Sequence, residues 1–188
     1  TSIVGITGTN GKTTTKELVA AVLSKKYHIL YTQGNLNNHI GVPLTLLSLT
    51  REHEMAIVEM GANHPGDIKE LVEIAEPDYG LITNVGLAHL QGFGSLEGVI
   101  RTKGELYDYL RTTEKRSIFL NIANGHLKNI SEGLNAVTYG QAAESEAHGE
   151  IVACDPYLRF RWRHREGKWY EVATQLIGSY NIDNALCA

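Results

Sequence analysis

Between residues 8 and 14 the chain reads Gly8-Thr9-Asn10-Gly11-Lys12-Thr13-Thr14. Glycines at that spacing let successive backbone N–H groups curl around an anion, and a helix that starts there adds the positive end of its dipole. Lys12 would then reach the β- and γ-phosphates of a nucleotide, and the Thr13 hydroxyl would face Mg²⁺. The first glycine stands three residues before Gly11 rather than the five of the commonest phosphate loop. The same letters also make a plain glycine-rich turn at a helix start. Glu59 closes an apolar run, Met55-Ala56-Ile57-Val58, and a carboxylate at the carboxyl edge of a sheet can hold Mg²⁺ against a nucleotide. Strand-end glutamates also commonly just face water. His89 is one of eight histidines and follows another apolar run through Asn84-Val85-Gly86-Leu87-Ala88; a ligand and a structural histidine both fit there. Lys103 lies in the middle of the stripe Leu96, Val99, Ile100, Leu106, Tyr107 and Leu110. A lysine on a core face loses hydration, its pKa falls, and the neutral amine can take up CO₂ to become an anionic carbamate. A lysine that snorkels to solvent is the other reading of that position.

These residues need a frame that brings strand ends together. Most of the short apolar runs at residues 3–6, 28–31, 55–58, 79–83 and 117–120 are continuous rather than alternating, as in strands buried on both faces of a parallel sheet. Helical spacing occupies 13–23, 43–49, 67–74 and 95–110 between them. The alternation predicts an α/β fold, a mostly parallel open sheet with flanking helices joined by right-handed crossovers. From residue 135 the texture changes. Runs at 135–139, 150–154, 157–163 and 168–173 read as short strands with turns between, so a smaller antiparallel region is expected over about 135–175. Leu158, Phe160 and Trp162 alternate there with Arg159, Arg161 and Arg163. That pattern marks a strand with one solvated face, and its basic stripe could also meet a phosphate. Residues 179–188 begin like a helix.

The 188 residues suit one domain. At 43% hydrophobic and 20% charged the composition is that of an ordinary globular chain. A net charge of −4 with no strongly basic half argues against general nucleic-acid binding. No apolar run approaches the ~20 residues of a membrane span. Cys154 and Cys187 are too few and too unpatterned for a disulfide framework or a zinc site, which suits a reducing cytoplasm. Thirteen of the 19 glycines lie in residues 1–104, which predicts many tight turns in that part. Thr1 leads directly into a strand with no initiator Met, so the chain reads as one domain, 1–188, taken from a longer protein.

Ile6-Thr7-Gly8-Thr9-Asn10-Gly11-Lys12-Thr13-Thr14 resembles the ATP loop of the Mur ligase superfamily, which also includes folylpolyglutamate and cyanophycin synthetases. Gly34-Asn35-Leu36-Asn37-Asn38-His39-Ile40-Gly41 and Glu59-Met60-Gly61-Ala62-Asn63-His64-Pro65-Gly66-Asp67 are similar to its D-alanyl-D-alanine-adding branch. The resemblance covers nearly the whole chain and is strongest up to about Tyr107. It implies an enzyme that uses ATP to activate a carboxylate as an acyl phosphate, which an amine then displaces. The implied substrates are UDP-N-acetylmuramoyl-tripeptide and D-alanyl-D-alanine, with further domains of the same enzyme before and after this one.

The resemblance implies ATP binding by Gly8, Thr9, Asn10, Gly11, Lys12, Thr13 and Thr14. It also implies two Mg²⁺ sites using Thr13, Glu59, His89 and Lys103, the last as a CO₂-derived carbamate. The fourteen positions from His89 to Lys103 match the family separation, and Lys103-Gly104-Glu105-Leu106-Tyr107 resembles its lysine segment. Asn181 and Asn184 carry over from an H-N-x-x-N segment on the adenine side of ATP, with Tyr180 in place of the histidine. Asn37, Asn38, Asn63 and His64 are expected to face the muropeptide or to order the loops beside it. A folylpolyglutamate- or cyanophycin-type ligase, and a phosphate-loop regulatory module without ligase activity, are the competing readings. A nucleic-acid-binding domain built on the 159–165 strand is a more distant one.

Overall fold

The computed structural model describes residues 1–86, 90–113 and 115–188. Its strands are β1 (Ser2–Thr7), β2 (Ile29–Tyr31), β3 (Met55–Glu59), β4 (Tyr79–Ile82), β5 (Ser117–Asn121), β6 (Asn135–Gly140), β7 (Ala147–Cys154), β8 (Tyr157–His164) and β9 (Tyr170–Ile177). The helices are α1 (Lys12–Leu23), α2 (Gly41–Leu47), α3 (Asp67–Ala75), α4 (Leu90–Phe93), α5 (Leu96–Leu110), α6 (Gly125–Ile130) and α7 (Asn181–Cys187). Among the described residues the strands form one sheet in the order β2-β3-β1-β4-β5-β6-β7-β8-β9. Pairing is parallel from β2 to β7 and antiparallel from β7 to β9. β1 is flanked by β3 and β4, so the chain winds to one side of it and then to the other. The crevice at the carboxyl end of such a strand is where open α/β sheets take their ligands.

Two apolar layers hold helices to the sheet. Val19 and Ala20 of α1 and Ile182 and Leu186 of α7 pack with Val4, Ile6, Ile57 and Leu81 on one face. Ile68, Leu71 and Val72 of α3 and Leu106, Tyr107 and Leu110 of α5 pack with Val58, Ile82, Ile118 and Leu120 on the other. The continuous strand runs follow from this, since alternate residues of one strand enter both layers. Gly80 permits the second layer: a Cβ there would lie 2.2 Å from Leu110 Cδ1 and 3.2 Å from Leu106 Cγ. Gly80→Ala is therefore expected to cost about 1–3 kcal/mol, read as a lower denaturant midpoint at unchanged slope.

Two expectations are corrected. The antiparallel region begins at β7 rather than at 135, because β6 lies parallel to β5 with Ser117 opposite Asn135 and Asn121 opposite Tyr139. The link between them is α6, whose six residues are too few to display a helical period. The second helix starts at Gly41 rather than 43, because the Asn38 side-chain oxygen accepts from the N–H groups of Ile40 (3.1 Å) and Gly41 (2.9 Å). The basic stripe of β8 is charge-paired at Arg159 and Arg161, while Arg163 is half-buried and lies over the Trp169 ring at 4.8 Å. Arg159 pairs with Glu171, Arg161 Nε with Glu150 (2.8 Å) and Arg165 Nη2 with Glu146 (2.8 Å). Leu158 and Phe160 on its other face are buried against the α7 layer. Gly149 of β7 lets α7 approach, since a Cβ there would stand 2.5 Å from Leu186 Cδ2. Among the described residues no helix is long and apolar enough to cross a membrane.

Candidate functional site

The loop after β1 turns through Gly8 (φ 145°) and Gly11 (φ 78°), backbone conformations that favour glycine. The end of β4 pins it. Thr9 N donates to Asn84 O (3.0 Å), Asn10 N donates to Asn84 Oδ1 (3.0 Å), and Asn84 Nδ2 and Thr83 Oγ1 both donate to Asn10 O (2.9 and 2.6 Å). Gly86 N donates to Thr9 Oγ1 (3.0 Å). Adjacent parallel strands thus hold the loop open at the sheet's carboxyl edge. Lys12 begins α1 and folds back, its Nζ donating to the carbonyls of Gly8 (3.0 Å) and Thr9 (3.3 Å). Burial lowers its pKa, opposed by the negative charge of Glu59.

Glu59 ends β3 and is 1% exposed. Its carboxylate accepts from Thr13 Oγ1 (3.1 and 3.3 Å) and from Asn37 Nδ2 (2.8 Å), while its backbone N–H donates to Thr32 Oγ1 (2.9 Å). Asn37 is itself fixed, its carbonyl accepting from Gly61 N (2.7 Å). Glu59 has neutral partners and no ion pair among the described residues. A buried carboxylate beside a hydroxyl is a hard oxygen donor set, which suits Mg²⁺ completed by phosphate oxygens. Among the described residues no three His, Cys, Asp or Glu side chains converge without such help.

Lys103 lies on the inner face of α5, 3% exposed, with Nζ 5.5 Å from the Phe93 ring centroid. Burial, and next the charge of Lys12, lower its pKa to about 8, against weaker pulls upward from Asp67 and Glu105. Roughly a tenth of such an amine is neutral at pH 7, enough for slow reaction with CO₂. The charge of Lys12 reaches Lys103, so the start of α1 lies near α5. Glu105, two residues on, accepts from Gly66 N (2.9 Å) and Lys69 N (2.8 Å), which locks the start of α3 to α5.

Two cavities flank this centre. One of about 650 Å³ runs from Asn10, Gly11 and Thr14 to Asn121, Asn124 and Asp183. The other, about 440 Å³, is lined by Lys12, Asn37, Asn38, Asn63, His64 and Asp67 among others. Residues 6–188 match the Mur ligase middle domain. The chain belongs to the Mur ligase middle domain family. It is 38% identical over 191 residues to the UDP-N-acetylmuramoyl-tripeptide--D-alanyl-D-alanine ligase of Escherichia coli (strain K12), an alignment covering 99% of this chain and 42% of that one. A crystal structure of MurF from Acinetobacter baumannii superposes with a TM-score of 0.88 at 31% identity, over 99% of this chain and 41% of the other. The MurF ligase of Thermotoga maritima, solved in complex with ADP, gives 0.87 at 28% identity, over 99% and 43%. The chain therefore spans about two fifths of the length of the relatives it matches.

Within this Mur ligase domain the loop residues 8–14, Glu59, Asn37 and Lys103 are gathered at one edge. Asn38, Asn63 and His64 line the second cavity beside Lys12. The Asn38 oxygen is occupied at the start of α2, and the Asn63 and His64 N–H groups donate to Asp67 Oδ2 (2.8 and 2.9 Å). His89 lies outside the described residues. Asn184 lines the first cavity and lies against Gly11, where a Cβ would be 2.9 Å from its Oδ1. Asn181 is placed differently. It is 6% exposed, donates to Ile177 O (2.9 Å) and accepts from Asn184 Nδ2 (3.0 Å), so it holds Asn184 rather than facing the cavity. Sequence reading gave no role to Thr83, Asn84, Asn121, Asn124 or Asp183. Thr83 and Asn84 end an apolar run and could have been suspected, but nothing local says that β4 lies beside β1.

Proposed function

We propose that this chain is the nucleotide-handling part of a longer cytoplasmic ligase that joins D-alanyl-D-alanine to the free carboxylate of UDP-N-acetylmuramoyl-tripeptide. One observation carries the reading: Lys12 stands between the two cavities, with its loop opening on the first and its side chain lining the second. A nucleotide seated in the first would present its γ-phosphoryl group to a carboxylate entering from the second. The names of the relatives supply the identity of the substrates.

In this reading the loop N–H groups bind the β- and γ-phosphates, and Lys12 exchanges the Gly8 and Thr9 carbonyls for phosphate oxygens. The tripeptide carboxylate attacks phosphorus, ADP leaves, and the dipeptide amine then displaces phosphate from the acyl phosphate and loses a proton. Glu59 and Thr13 would hold one Mg²⁺, and His89 with carbamylated Lys103 a second; bound there, the ions would supply charge neutralisation at the transferring phosphoryl group. Asn37 keeps the Glu59 carboxylate aimed, and Glu105 keeps α3 against α5. No protein nucleophile is required, since positioning and charge stabilisation suffice.

The test is phosphate release from ATP by the full-length protein that carries this chain. Release is expected only when UDP-N-acetylmuramoyl-tripeptide and D-alanyl-D-alanine are both present. Stimulation by glutamate with a folate acceptor, or by the substrates of cyanophycin synthesis, would move the chain to another ligase of the superfamily. Hydrolysis indifferent to every acceptor would leave only a nucleotide-binding module.

A further inference from the structure

The first cavity has a chemical asymmetry at the end away from the phosphate loop. Asn10, Asn84, Asn121, Asn124 and Asn184 can each donate and accept. Asp183, on the cavity side of α7, is the only carboxylate among the described lining residues. Burial raises its pKa, against opposing pulls from the side chains of Asn121, at the end of β5, and Gln141, just after β6. It has no ion-pair partner among the described residues. A half-buried carboxylate therefore lines the wall of a cavity of nucleoside size. Its neighbour Asn184 touches Gly11, so the next group beyond the phosphates lies within reach of residue 183.

We propose that Asp183 selects the nucleoside part of the nucleotide by accepting a hydrogen bond from a donor on it, either the exocyclic amine of adenine or a ribose hydroxyl. The proposal rests on the nucleotide reading above. A carboxylate repels the O6 acceptor of guanine or hypoxanthine and loses its partner when a hydroxyl is deleted. The two sources can therefore be told apart by analogues.

The experiment titrates the full-length protein that carries this chain calorimetrically with the Mg²⁺ complexes of ATP, ITP, 2′-deoxy-ATP, 3′-deoxy-ATP and tripolyphosphate, for wild type, Asp183→Asn and Asp183→Ala. Wild type is expected to prefer ATP over one class of analogue by about tenfold or more, the usual effect of a hydrogen bond to a charged group. Both variants should lose that preference and keep the wild-type affinity for tripolyphosphate, which reaches only the loop. A preference lost against ITP assigns the base, and one lost against a deoxy analogue assigns the sugar. Preferences unchanged within twofold in both variants overturn the proposal, as does an equal loss of tripolyphosphate binding, which marks a structural effect. Wild type that binds no nucleotide at all sinks the nucleotide reading itself, and the proposal with it.

Discussion

In the full-length protein that carries this chain, Lys103→Ala is expected to lower the proposed turnover by about a hundred- to a thousandfold, the scale on which loss of a charge-stabilising group acts, and acetate or formate should restore part of the activity. Lys103 is 3% exposed, close to the charge of Lys12, and held by a helix whose neighbouring residues are wholly buried. As an ammonium it would add a second positive charge beside Lys12 in a poorly hydrated place. As a carbamate it becomes an anion that can hold Mg²⁺ and balance Lys12. Alanine removes the anion and leaves a space that a small carboxylate can enter. Rescue separates the chemical role from a structural one, because a misfolded variant gains nothing from acetate. Independent evidence would be a ¹³C carbamate resonance from the wild type equilibrated with labelled bicarbonate, absent from the alanine variant. Near-normal turnover of Lys103→Ala would remove the carbamate from the mechanism.

Gly8→Ala should weaken nucleotide binding by about a hundredfold. At φ 145° an L side chain is strained whatever its surroundings, and the new Cβ would lie 2.0 Å from Thr83 Oγ1 and 3.1 Å from Thr83 N. The loop must move away from β4, which breaks the bonds that Thr83 and Asn84 make to Asn10. Strain of this kind costs on the order of 1–3 kcal/mol, and 1.4 kcal/mol is tenfold in affinity. The double variant Gly8→Ala/Thr83→Ala relieves the contact but not the backbone strain, so calorimetry should find it intermediate. Wild-type affinity in Gly8→Ala would mean that phosphate is bound elsewhere.

Much of this is legible in the sequence. Periodicity over 95–110 puts Lys103 on the core face of α5, because a 3.6-residue repeat is a local property that packing then merely uses. The loop at 8–14 declares itself through the two glycines that its backbone angles require. The sheet edge as the meeting place follows from the alternation of strands and helices alone.

The pair Asn181 and Asn184 marks where local reading stops. Three residues apart on one helix, they share a face in the sequence pattern, and only the seat of α7 on Gly149 and the β6–β8 strands turns one to the cavity and the other inward. The same holds for Thr83 and Asn84, whose work depends on β4 lying beside β1, and for β6, whose direction depends on the crossover through α6. Local structure is encoded by neighbours along the chain, whereas strand order, helix rotation and the partners of a buried amide depend on residues tens of positions away. The sequence therefore marked a glycine-rich turn at 8–14, Glu59 at a strand end and Lys103 on a core face. Tertiary packing decided which amides line the first cavity, and it brought an unannounced carboxylate, Asp183, to its wall.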